Sequence, residues 1–153
     1  MLILKQTKKL KKRIKLSISF NNSHPTLTIP EKQKLSKWLN MAAQNEEYLI
    51  GRLSYTFLTD EELHKINMQF LNHDTYTDII TFDYNRDKLI IGEIYISLDR
   101  VEENAKTSQL PYNQEVKRII IHGILHLMAY KDKNPEDKKE MTTKEDYYLS
   151  LQP

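Results

Sequence analysis

The 153-residue chain contains no cysteine. That absence excludes a thiolate nucleophile, a zinc ribbon, an iron-sulfur cluster and a disulfide scaffold, and it is compatible with a cytoplasmic location. No apolar run approaches the roughly 18 residues of a membrane span, so no membrane partner is expected. The one apolar stretch at the start, Leu2-Ile3-Leu4, is too short for a secretory h-region. Internal repeats and low-complexity linkers are also missing. What is present describes a soluble globular chain: 39% hydrophobic residues, nine Tyr and a mean hydropathy of -0.63. At this length a single domain is expected, and it can bury about 70% of its unfolded surface without a disulfide or metal staple.

Acid is missing from one end. Residues 1–15 carry seven basic side chains (Lys5, Lys8, Lys9, Lys11, Lys12, Arg13, Lys15) and no carboxylate, which leaves 16 basic against 21 acidic groups in the remainder. Residues 1–13 read as a basic arm outside the domain, which spans 14–150. Such an arm suits a polyanion such as a nucleic acid, because neutralising phosphates releases counterions, and Lys9 and Lys12 are its candidate contacts.

The pattern along the chain alternates strand and helix. Ile14, Leu16, Ile18 and Phe20 have the period of two of a half-buried strand, and Leu35, Trp38, Leu39 and Ala42 have helical spacing after Pro30. Leu49 to Leu58 returns to strand, with Leu53, Tyr55 and Phe57 on one face. Thr59-Asp60-Glu61-Glu62 supplies a cap and acidic first turn for a helix through Phe70. Ile79–Tyr84 and Leu89–Leu98 read as a hairpin across Asn85-Arg86-Asp87-Lys88. Three helices follow, the first capped by Asp99, the second over Val116–Tyr130 and the third opened by Asn134-Pro135. The expected fold is α+β: one domain, a small mixed four-stranded sheet and about five helices covering it.

The chemistry is concentrated in His122-Gly123-Ile124-Leu125-His126-Leu127-Met128-Ala129-Tyr130-Lys131-Asp132. The surrounding helix is apolar on nearly every side and is expected to be buried. A single histidine there would be a core residue satisfied by its neighbours. Two at i and i+4 project from one face, and burying two imidazoles side by side is costly unless something bonds both, as a metal ion does. Asp132, six residues on, is placed for a third ligand if the chain turns back. Gly123 weakens its helix by about 1 kcal/mol against alanine, so a close approach by another group is expected there. It also occupies the slot in which an H-E-x-x-H metalloprotease carries its general base.

These residues resemble the signature H-G-x-L-H-L-x-G-Y-D-H of the YbeY-type endoribonucleases, the rRNA maturation factors once regarded as metalloproteases. His122, Gly123, Leu125, His126, Leu127 and Tyr130 match in place. Asp74 with Thr77-Asp78-Ile79-Ile80-Thr81-Phe82, Gly92-Glu93-Ile94, and Met141 with Glu145 resemble further family segments, so the likeness runs over about residues 14–150. Three positions depart from the pattern. The third histidine falls at Asp132, the second glycine at Ala129, and an arginine thought to contact substrate at Leu71, while Asn67 and Phe70 keep their places.

The resemblance implies a zinc-dependent endoribonuclease maturing the 3′ end of 16S ribosomal RNA. Its metal would be held by His122, His126 and Asp132, with the two histidines also catalytic. Glu93 is the candidate to orient the site or act as base. With Leu71 uncharged, Arg52, Arg86 and Arg118 are the arginines to replace it, Arg52 and Arg118 being carried as substrate contacts. Implied partners are ribosomal RNA, the small ribosomal subunit and a ribosome-assembly GTPase. Two other readings share the ligands: a metallohydrolase of non-RNA substrates, and a non-catalytic RNA-binding assembly factor with a structural metal. His24 and His64 are expected at the surface, and His73 at the site's edge.

Overall fold

The computed structural model describes residues 16–152. The basic arm, Lys9 and Lys12 included, lies outside them. In chain order the elements are β1 (Ser17–Asn22), α1 (Lys32–Asn45), β2 (Leu49–Leu58), α2 (Asp60–Leu71), β3 (Ile79–Asp83), β4 (Leu89–Ser97), α3 (Leu98–Ser108), α4 (Tyr112–Leu127) and α5 (Pro135–Ser150). The four strands form one sheet in the order β1-β2-β4-β3. The first three are parallel, and β3 runs antiparallel to β4 as the hairpin pattern implied.

Strand alternation divides the side chains between two faces. Phe20, Leu53, Tyr55, Phe57, Ile90, Ile94 and Ile96 enter the main core with buried residues of α1, α3, α4 and α5. Tyr55 is wholly buried there and donates its hydroxyl to the Ile120 carbonyl at 2.7 Å, which satisfies a polar group that would otherwise be costly inside the core. The other face is covered by α2. Leu63 and Ile66 pack on Leu58, Ile80, Phe82 and Tyr95, leaving Arg52 exposed on that side.

Local chemistry explains the element ends. Thr59 caps α2 by accepting from the Glu62 amide while its own hydroxyl reaches the Glu62 carboxylate. Asn134 caps α5 by accepting from Asp137. Asp99 is not the cap of α3. Ser97 accepts from the Arg100 amide instead, and Asp99 accepts from the Asp60 amide and pairs with His24 Nε2 at 2.7 Å. The expectation of surface histidines is corrected at the same point. The His24 side chain is 5% exposed, with Nδ1 accepting from Leu27 N, and His64 is half-buried, stacked on Tyr76 and bonded to Asp74.

Candidate metal centre

Helix α4 lies against the sheet at two close contacts. A Cβ on Gly123 would stand 3.0 Å from Ile94 Cδ1 and 3.1 Å from Ile79 Cδ1, and one on Gly92 would meet Leu127 Cδ1 at 2.7 Å. Glycine at 123 thus admits the hydrophobic tips of β3 and β4, and the face carrying His122 and His126 is left to turn elsewhere.

The helix ends in a Schellman turn. The Tyr130 amide bonds the Leu125 carbonyl and the Ala129 amide bonds the His126 carbonyl, with Ala129 in the left-handed region at φ 73°. Asn85 of the hairpin loop closes the same end by donating to the Leu127 carbonyl. Helix α4 therefore stops at Leu127, three residues before the expected end, and the reversal brings Tyr130 and Asp132 back toward the histidines.

Both imidazoles are oriented. His122 Nδ1 lies 2.6 Å from Glu145 Oε2, and His126 Nδ1 lies 3.0 Å from the Tyr130 carbonyl. A carboxylate and a carbonyl accept, so each neutral ring carries its proton at Nδ1 and presents a lone pair at Nε2. Those two lone pairs face each other at 2.9 Å, and Asp132 Oδ2 stands 3.3 Å from each. With both rings in that tautomer three acceptors converge, an arrangement that a cation stabilises. Donor atoms of a tetrahedral zinc site with ligand bonds of about 2.0–2.1 Å stand about 3.3 Å apart, close to the triangle seen here. The residues fit a metal ion. The negative end of the α4 dipole beside His126 favours one further.

The surroundings shift the two rings in opposite directions. Burial would depress His122, but the hydrogen bond and charge of Glu145, with Asp132 and Asp78 behind it, hold the ring above the ordinary histidine range. Burial and then the charge of His122 push His126 below it, against Asp132 and the Tyr130 carbonyl. Burial likewise raises the carboxyls of Asp78 and Glu115 despite the opposing charges of His122 and Arg118.

A second layer of residues holds this one in place. Arg118, one turn before His122, donates to Glu145 at 3.0 Å and to Asp146 at 2.8 Å. The Tyr130 hydroxyl donates to Glu46, at the end of α1, and so does the Tyr148 hydroxyl, while Lys144 Nζ adds a contact at 3.2 Å. Glu46 carries no sequence signal, since its partners lie 84 to 102 residues away and share no local pattern with it.

The sequence candidates separate accordingly. His122, His126 and Asp132 come together in one group. Glu93 does not join them. It alternates with Gly92 and Ile94, which face α4, and so points to the opposite face of the sheet, in register with Ser54 and Phe82. Arg52 is exposed on that same far face, and Arg118 is occupied by Glu145 and Asp146 rather than free for phosphate. Arg86 sits in the hairpin turn, and His73 is exposed just past α2. A cleft of about 600 Å³ opens beside the group, between His122 and Asp132 on one wall and Lys138, Lys139, Thr142 and Glu145 of α5 on the other.

Comparison with known proteins gives a consistent picture. The family model described as endoribonuclease YbeY matches residues 17–151. A Flavobacterium johnsoniae protein named endoribonuclease YbeY is 42% identical over 130 residues, covering 85% of this chain and 94% of the relative. A Cytophaga hutchinsonii protein of the same name is 43% identical over 136 residues, covering 88% and 95%. A solution structure of a Thermotoga maritima protein superposes with a TM-score of 0.63 at 28% identity, covering 88% of this chain and 87% of that one.

Proposed function

The chain belongs to the endoribonuclease YbeY family, and from that premise we propose a metal-dependent hydrolase that cuts single-stranded RNA. Its substrate in this reading is the 3′ region of 16S ribosomal RNA during small-subunit assembly, and its compartment is the cytoplasm. Among the described residues no helix is long and apolar enough to cross a membrane. The observation that carries the proposal is the convergence of His122 Nε2, His126 Nε2 and Asp132 Oδ2 at an open cleft.

Zinc suits this donor set, since two imidazoles and one carboxylate leave a coordination position open, as in catalytic rather than structural sites. Bound there, the ion would polarise a phosphoryl oxygen and lower the pKa of a water molecule. The chain's own residues do the positioning. Glu145 fixes the His122 proton at Nδ1, the Tyr130 carbonyl does the same for His126, and Arg118 holds Glu145. The basic arm, with Lys9 and Lys12, is proposed to contact RNA backbone.

The test is zinc-reconstituted protein on a single-stranded RNA spanning the 16S 3′ end, comparing wild type with His126→Ala whose folding is checked by circular dichroism. Cleavage by wild type alone is expected. Equal cleavage by both overturns the metal-dependent mechanism. Rescue of 16S maturation by both in depleted cells leaves an assembly factor.

A further inference from the structure

We infer that Lys138 and Lys139 of α5 hold the phosphodiester backbone of the RNA strand next to the metal centre, an assignment that rests on the endoribonuclease reading. Both line the cleft whose opposite wall carries His122 and Asp132, and at about 600 Å³ that cleft falls in the range that encloses a ligand rather than a solvent ripple.

The distribution of charge around the cleft supports this occupant. Its other ionisable groups are His122, Asp132 and Glu145, and the two carboxylates repel a polyanion. Arg118 is taken up by Glu145 and Asp146, and Lys144 by Glu46. Lys138 and Lys139 are exposed, and among the described residues neither forms an ion pair, although Glu136, Asp137 and Glu140 are sequence neighbours. Lys138 and Lys139 thus line the cleft as ammonium groups with no ion-pair partner among the described residues, beside a carboxylate, Glu145, already matched by Arg118 and His122. The flanking polar groups are also divided. The Thr143 hydroxyl donates to the Lys139 carbonyl within its own helix, whereas Thr142, four residues after Lys138 and so on the same face, is exposed to the cleft. Pro135, at the positive end of the α5 dipole, closes the rim. Leu71 brings no charge to compete, being an exposed apolar residue at the end of α2 on the far side of the sheet. Binding of an RNA backbone here needs no base contact, so the site is one of position rather than of sequence.

The experiment uses the full zinc-loaded chain, a single-stranded RNA oligonucleotide and initial rates between 50 and 200 mM salt. Lys138→Gln/Lys139→Gln is compared with wild type and with Lys32→Gln/Lys37→Gln, which removes the same charge from exposed positions of α1. Each phosphate contact to a single strand contributes about 0.7 to the slope of log affinity against log salt, so losing two lowers the slope of log KM by about 1.4. The expected result is that loss, with a raised KM, a kcat within about twofold of wild type, unchanged zinc affinity by chelator competition, and no change in the α1 variant. A slope in the α5 variant equal to wild type, or an equal loss in both variants, overturns the assignment while the endoribonuclease reading stands. Failure of wild type to cleave the RNA overturns that reading and this one with it.

Discussion

Each histidine of the pair is oriented by a different acceptor, and the two acceptors are supported differently. His122 depends on a carboxylate that Arg118 grips from the other side, and His126 on a main-chain carbonyl set by the turn after α4. Glu145→Gln keeps the size of the side chain but can offer an amide N–H where Nδ1 needs an acceptor. Zinc affinity is expected to fall 10- to 100-fold, read by competition with a chromophoric chelator. Wild-type affinity in that variant would remove Glu145 from the positioning role. The neighbouring turn carries its own cost. Ala129 adopts φ 73°, where a Cβ is strained by about 1–2 kcal/mol and glycine is not. Set against the greater unfolded-state entropy of glycine, Ala129→Gly should stabilise the fold by about 0.5–1 kcal/mol, a rise of about 1–4 °C in Tm by calorimetry. A lower Tm would mean that the methyl group contributes a contact outweighing the strain.

At the scale of elements, the Glu46 cluster joins α1, α5 and the turn after α4. Burial alone would raise the Glu46 carboxyl, but hydrogen bonds from Tyr130, Tyr148 and Lys144, with the charge of Lys144, hold it below its ordinary value near 4.5. A group depressed in this way stabilises the fold above the unfolded-state value, and the stabilisation disappears as pH falls through the folded one. Glu46→Gln should therefore cost about 1–3 kcal/mol at neutral pH. That gap should stay level down to about pH 6 and close below about pH 4.5, measured by urea unfolding of both proteins across the range. A gap independent of pH would assign the effect to packing. The same cluster marks where the sequence stops being legible. The i, i+4 histidines, the hairpin, the Thr59 cap and the sheet-forming alternation are local patterns, and each is visible in a window of a few residues. The start of α4 is masked in the sequence by its polar first turn, Tyr112-Asn113-Gln114-Glu115, and its end by an alanine standing where a helix stop is ordinarily glycine. Asp99 reads as a cap in the sequence because β4 passes into α3 without a loop, which leaves Ser97 and Asp99 to compete for the role. Glu46 with Tyr130, and the choice of sheet face that takes Glu93 away from the metal centre, arise only once distant segments meet.

For the molecule as a whole, the sheet's two faces have different tasks. One carries the main core and, through α4, the metal centre, and the other is closed by a single helix. Gly123 is where the first of these faces touches the site, and its consequence is epistasis. Gly123→Ala gains about 1 kcal/mol of helix propensity but drives a methyl group against Ile94 Cδ1 and Ile79 Cδ1, the kind of overpacking that costs about 1–3 kcal/mol. Ile94→Val deletes that Cδ1 at a cost of about 0.5–1.5 kcal/mol. Together the two should be less damaging than their sum, with a coupling energy of about 1 kcal/mol in a double-mutant cycle, whereas strict additivity would place the sheet out of contact with the helix. Which residues are permitted beside His122 is thus decided from β3 and β4, and two substitutions that are each harmful cost less together than apart.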